Sequence, residues 1–222
     1  MTSGERYVPA LGLHCLTPAY DVVVRATTRE RRVKRALIEQ ARLRPRHRVL
    51  DLATGTGTLA IWMKQLEPTL EVAAIDGDAD VLAIARKKAR RATLAIDWMQ
   101  ALSHDLPFPA GSFDRVVSSL FFHHLSGDAK LRTAREVFRV IKPGGELHVA
   151  DWGRPTGPAM RGLFFAVQLL DGFGNTRDNV NGQLVPLFQR AGFSDVAATV
   201  SIDTALGTMV LYRGTKPAIP ER

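Results

Sequence analysis

A chain of 222 residues is long enough to enclose one α/β domain with a substantial core and too short for two ordinary ones. Hydrophobic residues at 45% and charged residues at 23% exclude a disordered chain, and a single cysteine, Cys15, excludes an internal disulfide and a Cys-x-x-Cys metal knuckle. The net charge of +8 is concentrated in one segment: Arg25 to Arg48 holds ten basic residues against two acidic ones, so the rest of the chain is neutral in sum.

Such a basic run suits a solvated helix face, and equally a surface that attracts nucleic acid, anionic lipid or an anionic substrate. No aromatic side chain interleaves with it, so the stacking platform of a single-strand binder is missing. Glu5 and Arg6 stand where a signal peptide needs an apolar stretch, and the longest apolar run, Gly162 to Leu170, is too short to cross a bilayer. A cytoplasmic, non-integral protein is the expectation, with peripheral membrane contact and oligomeric state left open.

In chain order, Thr17-Pro18 reads as a cap and first-turn proline opening a helix through roughly Ala41. Arg46 to Asp51 reads as a strand, Gly55 to Thr58 as a tight turn, and the residues to about Leu66 as a helix. Leu70 to Ile75 and a helix from Asp78 to Arg91 repeat the unit, with acids at the helix start and bases at its end. Leu94 to Trp98 and Phe113 to Ser118 read as strands. The helix from about Asp128 gathers Leu131, Ala134, Val137, Phe138 and Ile141 on one face and stops at Lys142-Pro143-Gly144-Gly145. Glu146 to Asp151 makes a fifth strand, and Leu184 to Ala191 a short helix closed by Gly192. Val196 to Ile202 and Gly207 to Arg213 pair as a terminal hairpin. Alternating strands and helices give an α/β fold with a doubly wound, mainly parallel sheet.

Ligands of such sheets bind beyond the carboxyl ends of the strands, near the reversal of strand order. That rule gathers Asp51 to Gly57, Asp76, Leu102 to Asp105 and Ser118 to His124 along one edge. In VLDLATGTGTLA, Val49 to Ala60, glycines stand where backbone must approach a ligand and turn into a helix. Gly55-x-Gly57-x-x-Ala60 also satisfies the dinucleotide pattern, with Asp76 placed as the ribose-binding acid. Asp51 separates the two readings: a carboxylate here opposes a pyrophosphate but favours a cationic cofactor such as S-adenosylmethionine, which carries a sulfonium and no phosphate. Asp76 suits both ribose hydroxyls as a charge-assisted acceptor.

VLDLATGTG, the Ala-Ala-Ile-Asp ending at Asp76, LPFPAGSFDRVVSSLFFHHL from Leu106 and REVFRVIKPGGELHVADW from Arg135 resemble the successive motifs of class I S-adenosylmethionine-dependent methyltransferases. The chain is most similar to the ubiquinone/menaquinone-biosynthesis methyltransferase type. The resemblance covers about Arg46 to Trp152 and implies a Rossmann-like, seven-stranded sheet with a C-terminal antiparallel hairpin. It further implies that Asp51, Ala53, Thr54, Gly55 and Gly57 hold the methionine moiety and that Asp76 takes the ribose. Leu102 and Ser103 would face the adenine, with Ser118 and Ser119 closing the site and Tyr20 covering it. Leu102 departs from the family, which has an acid there; Ala53 replaces a frequent glycine, a change of small cost if its φ stays negative.

Ser118-Ser119-Leu120 lacks the Asn/Asp-Pro-Pro-aromatic motif of enzymes that methylate base amino groups, and Cys15 lies too far upstream to be a cytosine-C5 nucleophile. A small-molecule acceptor, methylated on oxygen, sulfur or carbon, is therefore expected, with S-adenosylhomocysteine as second product and no metal. His123 and His124 are candidate bases, set against the alternative of helix-start residues bonded to backbone. Phe164, Phe165, Val167 and Leu170 suit an apolar acceptor pocket, a membrane contact or the core, and Asn175, Arg177 and Asn179 follow as candidates to orient the acceptor. Four stretches result: a helical cap 1–44, a cofactor-binding core 45–152, an acceptor cap 153–182, and a C-terminal helix and hairpin 183–222. The alternatives are a non-catalytic cofactor- or anion-binding module on the same fold and a nicotinamide-dependent oxidoreductase.

Overall fold

The computed structural model describes residues 29–218. Its strands are β1 Arg48–Leu52, β2 Glu71–Asp76, β3 Asp97–Gln100, β4 Phe113–Ser119, β5 Ile141–Trp152, β6 Ser194–Asp203 and β7 Thr208–Thr215. The helices among the described residues are α1 Glu30–Ala41, α2 Thr58–Leu66, α3 Ala79–Arg91, α4 Gly127–Val140, α5 Pro158–Asp171, α6 Phe173–Val180 and α7 Leu184–Arg190. All strands join one sheet in the order β3-β2-β1-β4-β5-β7-β6, parallel except that β7 runs antiparallel to both β5 and β6. The chain winds outward from β1 to β3 and then returns to β4. Strand order therefore reverses between β1 and β4, and a crevice follows at their carboxyl ends.

Side-chain alternation along the strands feeds two core layers. Leu50, Leu52, Ile75, Val116 and Val149 pack with α4 and α7, whereas Val49, Val72, Ala74 and Val117 pack with α1, α2 and α5. Burial on both faces is why these strands read as continuous apolar runs.

Local chemistry moves several boundaries. Thr93 adopts φ 55°, and the Leu94 amide donates to the Ala89 carbonyl at 3.0 Å, so Leu94 closes α3 and β3 begins later, at Asp97. Lys142-Pro143-Gly144-Gly145 does end α4, yet it lies within a longer β5, where pairing slips between Phe113↔Ile141 and Arg115↔Glu146. On α4, Ala134 and Val137 are buried as the periodicity predicts, but so are Lys130 and Thr133. The polar stretch containing Asn175, Arg177 and Asn179 is a helix, α6, separated from α5 by Gly172 at φ 88°. Thr17, Pro18 and Tyr20 lie outside the described residues.

Candidate active site

β1 delivers Asp51 into the reversal crevice with only 1% of its surface exposed. Its Oδ2 accepts from Thr54 Oγ1 at 2.6 Å and from the Ala60 amide at 3.1 Å. Burial dominates these bonds and raises the pKa to about 6, with Lys34 acting only through its field. β2 delivers Asp76 beside it, 9% exposed, where Oδ2 accepts from the Gly55 amide at 2.8 Å and Oδ1 from the Asp78 amide at 3.0 Å. Burial pushes this carboxyl up as well. Two buried acids thus face one turn with no direct cationic partner of their own among the described residues.

The turn between them is built by steric demand. Gly57 has φ 78°, and a Cβ there would lie 2.6 Å from the Trp98 ring and 2.8 Å from Ala85, so α3 and β3 close tightly on it. At Gly55, φ 55°, a Cβ would project into open space, where the backbone faces room for a ligand. Ala53 has φ 56°, which overturns the expectation of a negative angle; the turn forces an L residue into the left-handed region at a cost of about 1–2 kcal/mol. Lys88 of α3, which sequence reasoning passed over, donates to Thr56 Oγ1 at 2.8 Å and ties the turn down. Only the folded chain reveals that tie, because Lys88 is one of five basic residues of one helix.

These features suit S-adenosylmethionine. A compound with a sulfonium, an ammonium and two vicinal hydroxyls supplies positive charge to Asp51 and donors to the remaining lone pairs of Asp76, while phosphates would meet two acids. Leu102 is 46% exposed at the carboxyl edge and bridges to Asp105, so its apolar surface is open to a flat ring. Ser103 Oγ lies 2.8 Å from Thr133 Oγ1 on α4. Ser118 is buried and its Oγ donates to the Leu52 carbonyl at 3.0 Å, which fixes β4 to β1; Ser119, half-buried, ends the strand.

His123 and His124 occupy a single 3-10 turn, Phe122–His124, after β4. Their ring centroids lie 3.9 Å apart, with the planes tilted by 43°. His123 is buried, and its Nδ1 lies 2.7 Å from Oδ1 of Asp151, the end of β5. Asp151 also accepts from the amides of Phe121, His123 and Trp152, and although burial alone would raise its pKa, His123 and these donors hold it below the usual carboxylate range. His124 is pushed down to about 3, first by burial and then by His123, and is neutral at any ordinary pH. The alternative of a backbone-bonded helix-start residue is thus incomplete for His123, which is paired with a carboxylate. Asp151 went unnoticed as a site residue because it reads as the last position of a buried strand.

Against this turn sits α6. Asn175 donates to the His124 carbonyl at 3.2 Å, buried Lys130 donates to the Asn175 carbonyl, and Asn179 donates to the Trp152 carbonyl at 3.0 Å. Arg177 is exposed. Phe164 and Val167 are core residues against Trp152, whereas Phe165 is half exposed.

The sequence profile of a family described as a methyltransferase domain matches residues 49–145. Over 154 residues, 68% of this chain, the sequence is 36% identical to a demethylmenaquinone methyltransferase of Thermus thermophilus, of which it covers 69%. It is 30% identical over 227 residues to the ubiquinone/menaquinone biosynthesis C-methyltransferase UbiE of Pseudomonas fluorescens, covering 92% of this chain and 87% of that one. In architecture it resembles a SAM-dependent methyltransferase from Aquifex aeolicus, with TM-score 0.62, 19% identity, and 82% and 88% of the two chains covered. It also resembles the Haemonchus contortus phosphoethanolamine N-methyltransferase 2 solved with S-adenosyl-L-methionine, with TM-score 0.66, 15% identity, and 83% and 52% covered.

Fold and profile define an S-adenosylmethionine-dependent methyltransferase that acts on a small molecule, and the oxidoreductase and non-catalytic readings fall away. Within that class, the chain belongs to the ubiquinone/menaquinone-biosynthesis methyltransferase family.

Proposed function

We propose that the enzyme methylates a ring carbon of a hydroxylated, quinone-type acceptor, with His123 as the base. The names of its relatives favour carbon among the three nucleophiles that the sequence leaves open. The observation that carries the reading is the His123–Asp151 pair, 2.7 Å apart at the sheet edge that also holds Asp51 and Asp76. A ring carbon is a weak nucleophile until a neighbouring hydroxyl loses its proton. With Nδ1 committed to Asp151, His123 takes that proton on Nε2, and Asp151 fixes the tautomer and stabilises the imidazolium. Neutral His124, tilted against His123, adds no competing charge.

Bound S-adenosylmethionine supplies a methyl group already activated on a sulfonium. The chain's contribution is to hold it: Asp51, Ala53, Thr54, Gly55 and Gly57 around the methionine end, Asp76 at the ribose, Leu102 and Ser103 at the adenine. Alignment of nucleophile and methyl supplies roughly 7–11 kcal/mol of the barrier. Segment 153–182, carrying α5 and α6, covers the acceptor, and Asn175 fixes it to the histidine turn.

The test is turnover of a reduced, short-chain demethylmenaquinone by His123→Asn. The expected kcat falls about 10²–10⁴-fold, and S-adenosylmethionine affinity stays the same. Unchanged kcat removes His123 as base; no methyl transfer to ring carbon by the wild-type enzyme removes the acceptor class.

A further inference from the structure

Two surface features are not used by methyl transfer. The first is the outer face of α1, where Arg29, Arg31, Arg32 and Arg35 are exposed. Arg31, Arg32 and Arg35 line an open groove of about 600 Å³ with Ala36, Glu39, Val200 and Ile202. Among the described residues, no carboxylate pairs with these three guanidinium groups. The second is the outward face of α5 and the start of α6, where Leu163, Phe165, Leu169 and Phe173 are 43–65% exposed. Phe165 and Phe173 meet edge to face at 5.4 Å. Since α5 already buries Phe164, Val167 and Gln168 on its inner side, a helix in water alone would carry polar residues outside.

The two features share one layer. Val33, Leu37 and Ile38 of α1, Phe164 and Val167 of α5, and Ile202 of β6 enter the same core cluster on the same sheet face. Exposed Arg154, Arg161 and Arg177 add positive charge around the apolar ridge. Several acids nearby are turned to partners: Glu30 to Lys34, Asp178 to Lys130, and Asp203 to Thr156 and Thr208.

We infer that this face docks the enzyme on an anionic phospholipid bilayer, with the arginines at headgroup phosphates and Phe165, Leu169 and Phe173 in the acyl boundary. A nucleic acid would satisfy the arginines and leave the apolar ridge wet. A second copy would cover the ridge but bring like charges together across a two-fold axis. An anionic bilayer satisfies both. The inference rests on these surface residues and not on the acceptor's identity.

The experiment is sedimentation of the full chain with vesicles of phosphatidylcholine alone or of equal parts phosphatidylcholine and phosphatidylglycerol, at low and high salt. Binding is expected only with phosphatidylglycerol and is weakened by salt. The triple variant Arg31→Gln, Arg32→Gln, Arg35→Gln should lose about a hundredfold in affinity, and Phe165→Ser with Leu169→Ser about tenfold. In Phe165→Trp, the added fluorescence should be quenched by brominated acyl chains. Circular dichroism and S-adenosylmethionine calorimetry on each variant separate loss of docking from loss of fold or cofactor site. Wild-type indifference to phosphatidylglycerol, undiminished binding by the arginine variant, no quenching at position 165, or a salt-sensitive dimer with no vesicle binding would each overturn the inference.

Discussion

The two edges of the sheet treat their carboxylates in opposite ways. At the edge where β4 and β5 run in, Asp114 lies 2.9 Å from Lys142 and accepts from the Arg48 amide, and Glu146 meets His148, Arg115 and Arg42. His148 holds Glu146 down to about 2, and Asp114, despite partial burial, is held low by Lys142 and the Arg48 amide. At the carboxyl edge of β1 and β2, Asp51 and Asp76 are buried more deeply and both are raised. One edge carries its own counter-charges and the other has no direct cationic partner among the described residues, which separates a structural ion network from the pair of acids proposed for the cofactor. Asp151 stands at the same carboxyl edge but has His123 as an internal partner 2.7 Å away, which is why it was proposed to serve the base and not the cofactor.

Breaking the paired edge gives the largest expected effect. Glu146→Ala leaves His148, fully buried, and Arg115, whose side chain is 12% exposed, without their carboxylate, and should destabilise the protein by about 3 kcal/mol in urea. S-adenosylmethionine affinity should not change. Because the folded pKa lies below the 4.5 of an unperturbed glutamate, this stabilisation is full above that pH and is lost as pH falls through about 2. Equal loss of stability and cofactor affinity would mean that the two edges are not separable.

Asp51→Asn probes the other edge, with the opposite sign. A folded pKa of about 6 against 3.8 unfolded means that ionised Asp51 costs stability, a cost absent below pH 3.8 and complete above 6. Asparagine keeps an acceptor for Thr54 and Ala60, so the variant should gain about 2 kcal/mol at pH 7 without ligand, read from the urea midpoint. It should also bind S-adenosylmethionine at least tenfold more weakly. In the wild type, the same affinity should fall about fivefold between pH 6 and 5 as Asp51 takes up its proton. Affinity flat across that range would dissociate Asp51 from the sulfonium.

The sequence made this carboxyl edge legible because charge and glycine placement are local. Asp51, Gly55, Gly57 and Asp76 occupy strand ends that hydrophobic runs delimit, and the alternation of strands and helices suffices for a doubly wound, mainly parallel sheet. Contacts made by distant segments were not legible. Lys130 reads as a solvated helix residue until α6 covers it, Asp151 as a strand end until the histidine turn meets it, and α6 itself is too short and polar to announce a helix. The N-terminal boundary of β3 was hidden by a cap that needs left-handed Thr93, a residue with no glycine-like signature.

Ala53 is the smallest of these effects and the one that tests whether the turn is strained for its task. It reads as a harmless replacement for glycine, yet φ 56° places its Cβ against the backbone. Relief of left-handed strain in Ala53→Gly is worth about 1–2 kcal/mol, and the greater freedom of glycine in the unfolded chain returns about 0.5–1 of it. The variant should therefore be about 0.5 kcal/mol more stable, with cofactor affinity preserved because the turn's shape is unchanged. A loss of stability would show that the alanine methyl packs usefully, and a gain in cofactor affinity would show that the strain keeps the turn partly out of its binding form.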